Sequence, residues 1–69
     1  MKVAEIKGLA ERRPFRPFSV RLSNGAHYLF KEARDFGAPK DYRMIFFFGR
    51  SEGVRIDTEH IVEIIERPD

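Results

Sequence analysis

The chain has 69 residues, no cysteine and two histidines, and its formal net charge is +2. Disulfide bonds and thiolate metal sites are therefore excluded, and two histidines supply too few ligands for a structural zinc ion. A chain this short builds only a small hydrophobic core, so we expect one domain over residues 1–69 that gains stability as a homo-oligomer. The lack of cysteine and of a long apolar run predicts a cytoplasmic protein that does not enter a membrane.

The charges are divided unevenly along the chain. Residues 1–34 carry eight basic and three acidic residues, a net charge of +5, whereas residues 35–69 carry five and eight, a net charge of −3. Two interpretations are open. The basic half could bind phosphate groups, or opposite charges on different strands could pair neighbours and keep the surface hydrated.

The first thirteen residues are predicted to form a helix. Apolar residues recur in it at helical spacing, at Val3, Ile6, Leu9 and Ala10. Pro14 ends the helix, because a proline disfavours the helical conformation of the residue before it. The prolines and phenylalanines of residues 14–18 are expected to form an extended connector that fixes the helix on the strands.

Residues 17–31 are predicted to form a β-hairpin around Asn24-Gly25. Both residues tolerate the positive φ that a two-residue type I′ turn requires. With this loop, Leu22 lies opposite His27, and His27 falls on the core side of the hairpin. We interpret His27 as a histidine at the rim of the core with its apolar edge packed.

The same register places Arg21 opposite Tyr28 on the other face, where Phe30 and Lys31 lie beside them. Two interpretations are again open. The rings and cations could form a platform on which the bases of single-stranded RNA stack. Alternatively, Tyr28 and Phe30 could lie under the N-terminal helix or in a subunit interface.

Three further strands are predicted after a loop over residues 32–42. They span residues 42–48, 54–57 and 61–66. The first of them is apolar on both faces, so its second face must be covered by the helix or by a neighbouring subunit. The complete prediction is a mainly β fold with an N-terminal helix over residues 1–13 and a five-stranded antiparallel small barrel, SH3-like or Sm-like, over residues 17–67.

No set of residues suited to catalysis is evident. His27 and His60 are the only side chains that titrate near neutral pH, and neither a cysteine nor a strand-to-helix serine motif accompanies them. We therefore predict that the protein is not an enzyme and that it binds no metal ion and no cofactor.

The order of a helix and five strands, the Asn24-Gly25 turn, and the strand, break and strand over residues 55–65 resemble the Sm-like family, bacterial Hfq in particular. In Hfq, the segment that corresponds to residues 58–61 binds uridine-rich RNA. His60 is the residue of this chain that matches that segment. The resemblance implies an RNA site that includes His60, and edge strands that are hidden in a ring of subunits.

A second resemblance covers nearly the whole chain. It is carried by Pro14-Phe15-Arg16-Pro17-Phe18, Asn24-Gly25 and His60-Ile61-Val62. These segments are similar to those of a group of short bacterial proteins that open with a helix and a Pro-Phe-x-Pro-Phe segment. The resemblance implies an order of elements and no particular activity.

Two functions are predicted from these observations. The first is binding of single-stranded RNA by a homo-oligomer, through His60, Arg21, Tyr28 and Lys31. The alternative is a protein-interaction or assembly module without a nucleic-acid ligand. The many aromatic residues and the opposed charges of the two halves favour this alternative.

Overall fold

A computed structural model describes residues 2–66, apart from the side chain of Lys2. Within these residues the chain forms one α-helix, six β-strands and two short 3₁₀ helices. In chain order they are α1 (Lys2–Glu11), β1 (Phe18–Leu22), β2 (His27–Phe30), a 3₁₀ helix (Ala33–Asp35), β3 (Phe36–Gly37), β4 (Met44–Phe48), β5 (Gly53–Asp57), a 3₁₀ helix (Thr58–His60) and β6 (Ile61–Glu66). The mainly β class with an N-terminal helix is confirmed. The predictions for residues 1 and 67 lie outside the described residues.

The predicted five-stranded barrel is wrong, because the strands form two separate sheets. The first sheet has the strand order β2-β1-β6, and the second has the order β3-β4-β5. All neighbouring strands are antiparallel. No ladder of paired strands joins the two sheets within residues 2–66, so the described chain forms no closed barrel.

The chain crosses between the sheets at the two 3₁₀ helices, and side chains fix both crossings. At the first crossing, the carboxylate of Asp35 accepts a hydrogen bond from the backbone N–H of Glu32 at 3.1 Å. At the second, the carboxylate of Asp57 accepts from the backbone N–H of Glu59 at 2.9 Å. These local bonds hold the backbone in a turn where a continuous barrel strand would have to be extended.

The hairpin of β1 and β2 forms, but its predicted register is wrong by one residue. Its loop has three residues, 23–25, because the N–H of Leu22 donates to the carbonyl of Ala26 at 2.8 Å. In this loop only Gly25 has a positive φ, 91°, whereas a type I′ turn would also require one at Asn24. The observed pairs are Phe18 with Phe30, Ser19 with Leu29, Val20 with Tyr28, and Arg21 with His27.

The observed register exchanges the faces of the second strand. Tyr28 and Phe30 share the core face with Val20, and Phe30 and Val20 are completely buried. His27 and Arg21 share the outer face, and both are exposed. The predicted position of His27 on the core side is therefore wrong.

Residues of the helix and of both sheets share one core. Its buried members are Ile6, Ala10, Phe18, Val20, Phe30, Tyr42, Ile45, Ile56 and Ile61. The ring of Phe30 lies 5.2 Å from those of Phe18 and Phe36 and 5.6 Å from that of Phe47, measured between centroids. Aromatic pairs at such distances stabilise a core beyond the area that they bury.

Candidate interaction surface

The structure does not bring the four predicted RNA-binding residues together. Arg21 lies on the outer face of the first sheet, whereas Tyr28 lies on the core face of the same sheet. Lys31 is exposed directly after β2, and His60 is exposed at the end of the second 3₁₀ helix. The RNA site built from these residues stays a prediction.

The predicted cross-strand pair of Arg21 and Tyr28 is wrong, because the two side chains lie on opposite faces. Nε of Arg21 donates to a carboxylate oxygen of Glu63 on β6 at 2.7 Å. The ring of Tyr28 packs on Phe47 with 5.4 Å between centroids. The charge of Arg21 therefore has a partner within the chain, and the face of the Tyr28 ring is covered from the second sheet.

His60 lines an open groove of about 1110 Å³ between the hairpin loop, the start of β4, β5 and the second 3₁₀ helix. The other ionisable side chains around this groove are Arg43, Arg55, Asp57 and Glu59. The two guanidinium groups are balanced by the two carboxylates. A polyanion binds best where positive charge is in excess, so this balance gives it no electrostatic advantage.

The second sheet presents an apolar outer face that sequence reasoning only partly recognised. Strand alternation and the observed pairing place seven residues on this face: Gly37, Met44, Phe46, Phe48, Gly53, Arg55 and Asp57. We call these seven residues the outer face of the second sheet. The rings of Phe46 and Phe48 are nearly parallel, at 11°, with centroids 6.2 Å apart, and Phe48 is 47% exposed.

Gly37 allows the ring of Phe48 to lie flat across the neighbouring strand. A Cβ added to Gly37 would lie 2.9 Å from Cε2 of Phe48, closer than a real Cβ contact. Any side chain at position 37 would therefore lift this ring. The alternation of Met44, Phe46 and Phe48 was visible in the sequence. Gly37, which contacts the Phe48 ring, lies on β3, and this strand was predicted as a loop.

A charged row lies beside the aromatic row on the same face. Arg55 is paired in register with Phe46, and Asp57 is paired with Met44. Both charged residues are exposed, and Arg55 forms no ion pair with another described residue. The face thus combines one exposed ring, that of Phe48, and the half-buried ring of Phe46 with one positive and one negative side chain.

Residues 2–66 contain no helix that is both long and apolar enough to cross a membrane. No three histidine, cysteine or carboxylate side chains of the described chain are grouped so that they could hold a metal ion. No family model matches this chain, and no curated protein or solved structure matches it either. The resemblances to the Sm-like family and to the Pro-Phe-x-Pro-Phe group therefore stay predictions.

Proposed function

We propose that this protein is a non-enzymatic protein-interaction or assembly module that acts as a homo-oligomer. The observation that carries the proposal is the pair of parallel rings on the outer face of the second sheet, with Phe48 47% exposed. Contiguous exposed apolar surface of this kind marks interaction sites, and aromatic side chains are the usual anchors of protein interfaces.

The charges around this surface favour a protein over a nucleic acid as the ligand. Arg55 and Asp57 on the outer face balance each other, and Arg43 and Glu59 add one further charge of each sign around the groove. Protein surfaces carry both signs and can complement such a pattern, whereas RNA presents negative charge alone. The absence of cysteine supports the cytoplasm as the place where the module works.

The proposal predicts that Phe48→Ser removes binding to a partner, because the substitution removes the exposed ring without opening the core. Tagged wild-type and variant proteins would be used to capture partners from a nuclease-treated extract, followed by quantitative mass spectrometry and titration of the purified partner. Leu29→Ser is the matched control, since Leu29 is 38% exposed on the first sheet. Equal retention of every partner by the two variants would contradict the proposal.

Single-stranded RNA is the second candidate ligand. Its support is the groove that contains His60 together with the guanidinium-bearing residues Arg43 and Arg55. In this case a uridine-rich oligonucleotide should bind at about 50 mM salt, and the logarithm of the affinity should fall with the logarithm of salt by about 0.7 per phosphate contacted. His60→Ala should weaken binding and Arg16→Ala, in the exposed connector, should not. Fluorescence anisotropy without any binding at low salt would eliminate this candidate.

A further inference from the structure

The outer edge of β5 is an unused hydrogen-bonding edge. Strand β5 has five residues and pairs only with β4 within the described chain, so the N–H and C=O groups along its second side have no partner strand. An unpaired strand edge is a template on which another strand can add. Strand β3, the opposite edge of this sheet, has only two residues and offers far fewer groups.

We propose that two copies of this chain associate through β5, antiparallel and about a two-fold axis at Ile56. This inference rests on the homo-oligomer of the proposed function, and it identifies the strand through which a second copy of the chain binds. In this register Arg55 lies opposite the partner subunit's Asp57, and the symmetry repeats the pair. In a symmetric dimer the same surface patch of each copy faces that of the other. A patch with one positive and one negative side chain two residues apart can therefore pair with its own copy.

The charges select this register over its neighbour. An axis at Arg55, one residue earlier, would place the two Arg55 guanidinium groups directly opposite each other, and like charges in that position are destabilising. If one strand slipped by a single residue, the outer face of one copy would continue into the core face of the other, because side chains alternate along a strand. The axis at Ile56 pairs Arg55 with the partner's Asp57 on the outer face, while Ile56, 2% exposed, stays in the core of its own chain.

Both members of the new ion pair are available for it. Arg55 is exposed and forms no ion pair within residues 2–66. Asp57 is exposed as well, and Oδ1 accepts from the N–H of Glu59 at 2.9 Å. Oδ2 of Asp57 can therefore accept from a guanidinium group without breaking the cap of the 3₁₀ helix.

The edge of β6 lacks this self-complementarity. Its charged residues are both acidic, and both are engaged: Glu63 contacts Arg21 at 2.7 Å and Glu66 contacts Arg12 at 2.9 Å. Two β6 strands would bring carboxylates together, with no unpaired cation on the strand to offset them. Pairing through β5 also places the two outer faces side by side, so the four rings of Phe46 and Phe48 lie on one continuous sheet surface.

The test is the mass of the nuclease-treated protein by sedimentation and light scattering, compared among the wild type, R55D, D57R and their mixture. The wild type should be a dimer that weakens as salt is raised. Each single variant sets like charges opposite each other, and its dissociation constant should rise at least about tenfold. The mixture should recover the dimer, because the reversed charge on each chain then meets its opposite on the other.

Two controls separate this effect from misfolding. Arg50→Asp makes the same charge change in the exposed turn before β5 and should leave the dimer intact. Asp57→Asn retains a side-chain oxygen that can cap the 3₁₀ helix while it removes the charge, so it should weaken the dimer. At protein concentrations low enough for both proteins to be monomers, its melting temperature should equal that of the wild type. Far-UV circular dichroism of every variant must match that of the wild type.

Several outcomes would overturn the inference. They are a monomeric wild type, single variants that dimerise normally, a mixture of folded variants that fails to associate, and assembly that is lost on nuclease treatment. An assembly larger than a dimer would indicate head-to-tail pairing of different edges. The Phe48→Ser experiment is independent. A monomer that still needs Phe48 to bind a protein would remove the dimer and the homo-oligomer and leave the interaction module in place.

Discussion

At the scale of single residues, Tyr42 joins the loop before β4 to the helix. Its backbone adopts a positive φ of 54°, although the sequence predicted the start of a strand here. The side chain is buried, and its hydroxyl donates to the carboxylate of Glu11 at 3.2 Å. The pKa of Tyr42 is raised above its ordinary value of 10.0, mainly because the phenol is buried. The negative charge of Glu11 and its hydrogen bond to the hydroxyl raise this pKa further.

Tyr42→Phe should lower the free energy of unfolding by about 1 kcal/mol, because it removes one hydrogen bond and no apolar contact. Urea denaturation measures this change. Tyr28→Phe is the matched control, since the Tyr28 ring packs on Phe47 and its hydroxyl forms no hydrogen bond with the described residues. Equal effects of the two substitutions would contradict the role given to the Tyr42 hydroxyl.

The raised pKa also predicts the behaviour in alkali. The folded state holds the phenolic proton of Tyr42 more tightly than the unfolded state does, so stability from this group is present below pH 10.0 and is lost as the pH rises through the folded pKa. Denaturation midpoints of the wild type should therefore fall above this pH. Tyr42→Phe should show a shallower fall, and parallel profiles for the two proteins would show that Tyr42 does not carry the alkaline loss.

At the scale of elements, the second 3₁₀ helix decides where β5 ends and β6 begins in the other sheet. The hydroxyl of Thr58 donates to the carbonyl of Arg43 at 2.8 Å, and Thr58 is only 2% exposed. The bond ties the crossing to the chain just before β4. It therefore holds the start of the crossing against the end of the β4–β5 pair, where a barrel strand would have continued.

Thr58→Val should destabilise the protein by about 0.5–1.5 kcal/mol, because the shape is kept while the Arg43 carbonyl loses the hydroxyl and retains only the backbone N–H of residue 58 as a partner. Thr58→Ser retains the hydroxyl and should recover most of the bond while losing one methyl group. Chemical denaturation of the three proteins measures both effects. If the serine variant were less stable than the valine variant, packing of the methyl group and not the hydrogen bond would hold the crossing.

At the scale of the whole molecule, the aromatic core around Phe30 holds the two sheets together. Phe30 is completely buried and contacts rings from both sheets. Phe30→Ala should cost about 3–5 kcal/mol. This is comparable with the whole stability of a domain of this size, at about 0.05–0.15 kcal/mol per residue.

We therefore expect Phe30→Ala to be largely unfolded at ambient temperature, with the near-UV circular dichroism of packed aromatics lost. Phe48→Ala is the comparison, because Phe48 is 47% exposed and its truncation opens no core cavity. A folded Phe30→Ala variant, or equal losses in the two variants, would contradict this description of the core.

The sequence determined the elements whose cause is local. Helical spacing and Pro14 predicted a helix over residues 1–13, and the observed helix ends at Glu11, two residues before the predicted end. Apolar alternation predicted β4 to within two residues at its start, and it predicted β6 over residues 61–66. Such patterns reflect which face of each segment is buried, and this information lies within the segment itself.

Only the tertiary structure decided the hairpin register, the arrangement of sheets and the surface that is left exposed. The three-residue loop is closed by hydrogen bonds between Leu22 and Ala26 and between Gly25 and Leu22, and the Asn24 side chain accepts from the N–H of Ala26. The resulting register places Tyr28 and Phe30 on the core face and not on the outer face. The two crossings depend on capping side chains whose partners lie in the folded turn. The outer face around Phe48 depends on Gly37, which is distant in sequence. The loop and crossing contacts are local polar bonds, and the contact of Gly37 with Phe48 joins two strands, so the apolar periodicity along the chain carries no signal for any of them.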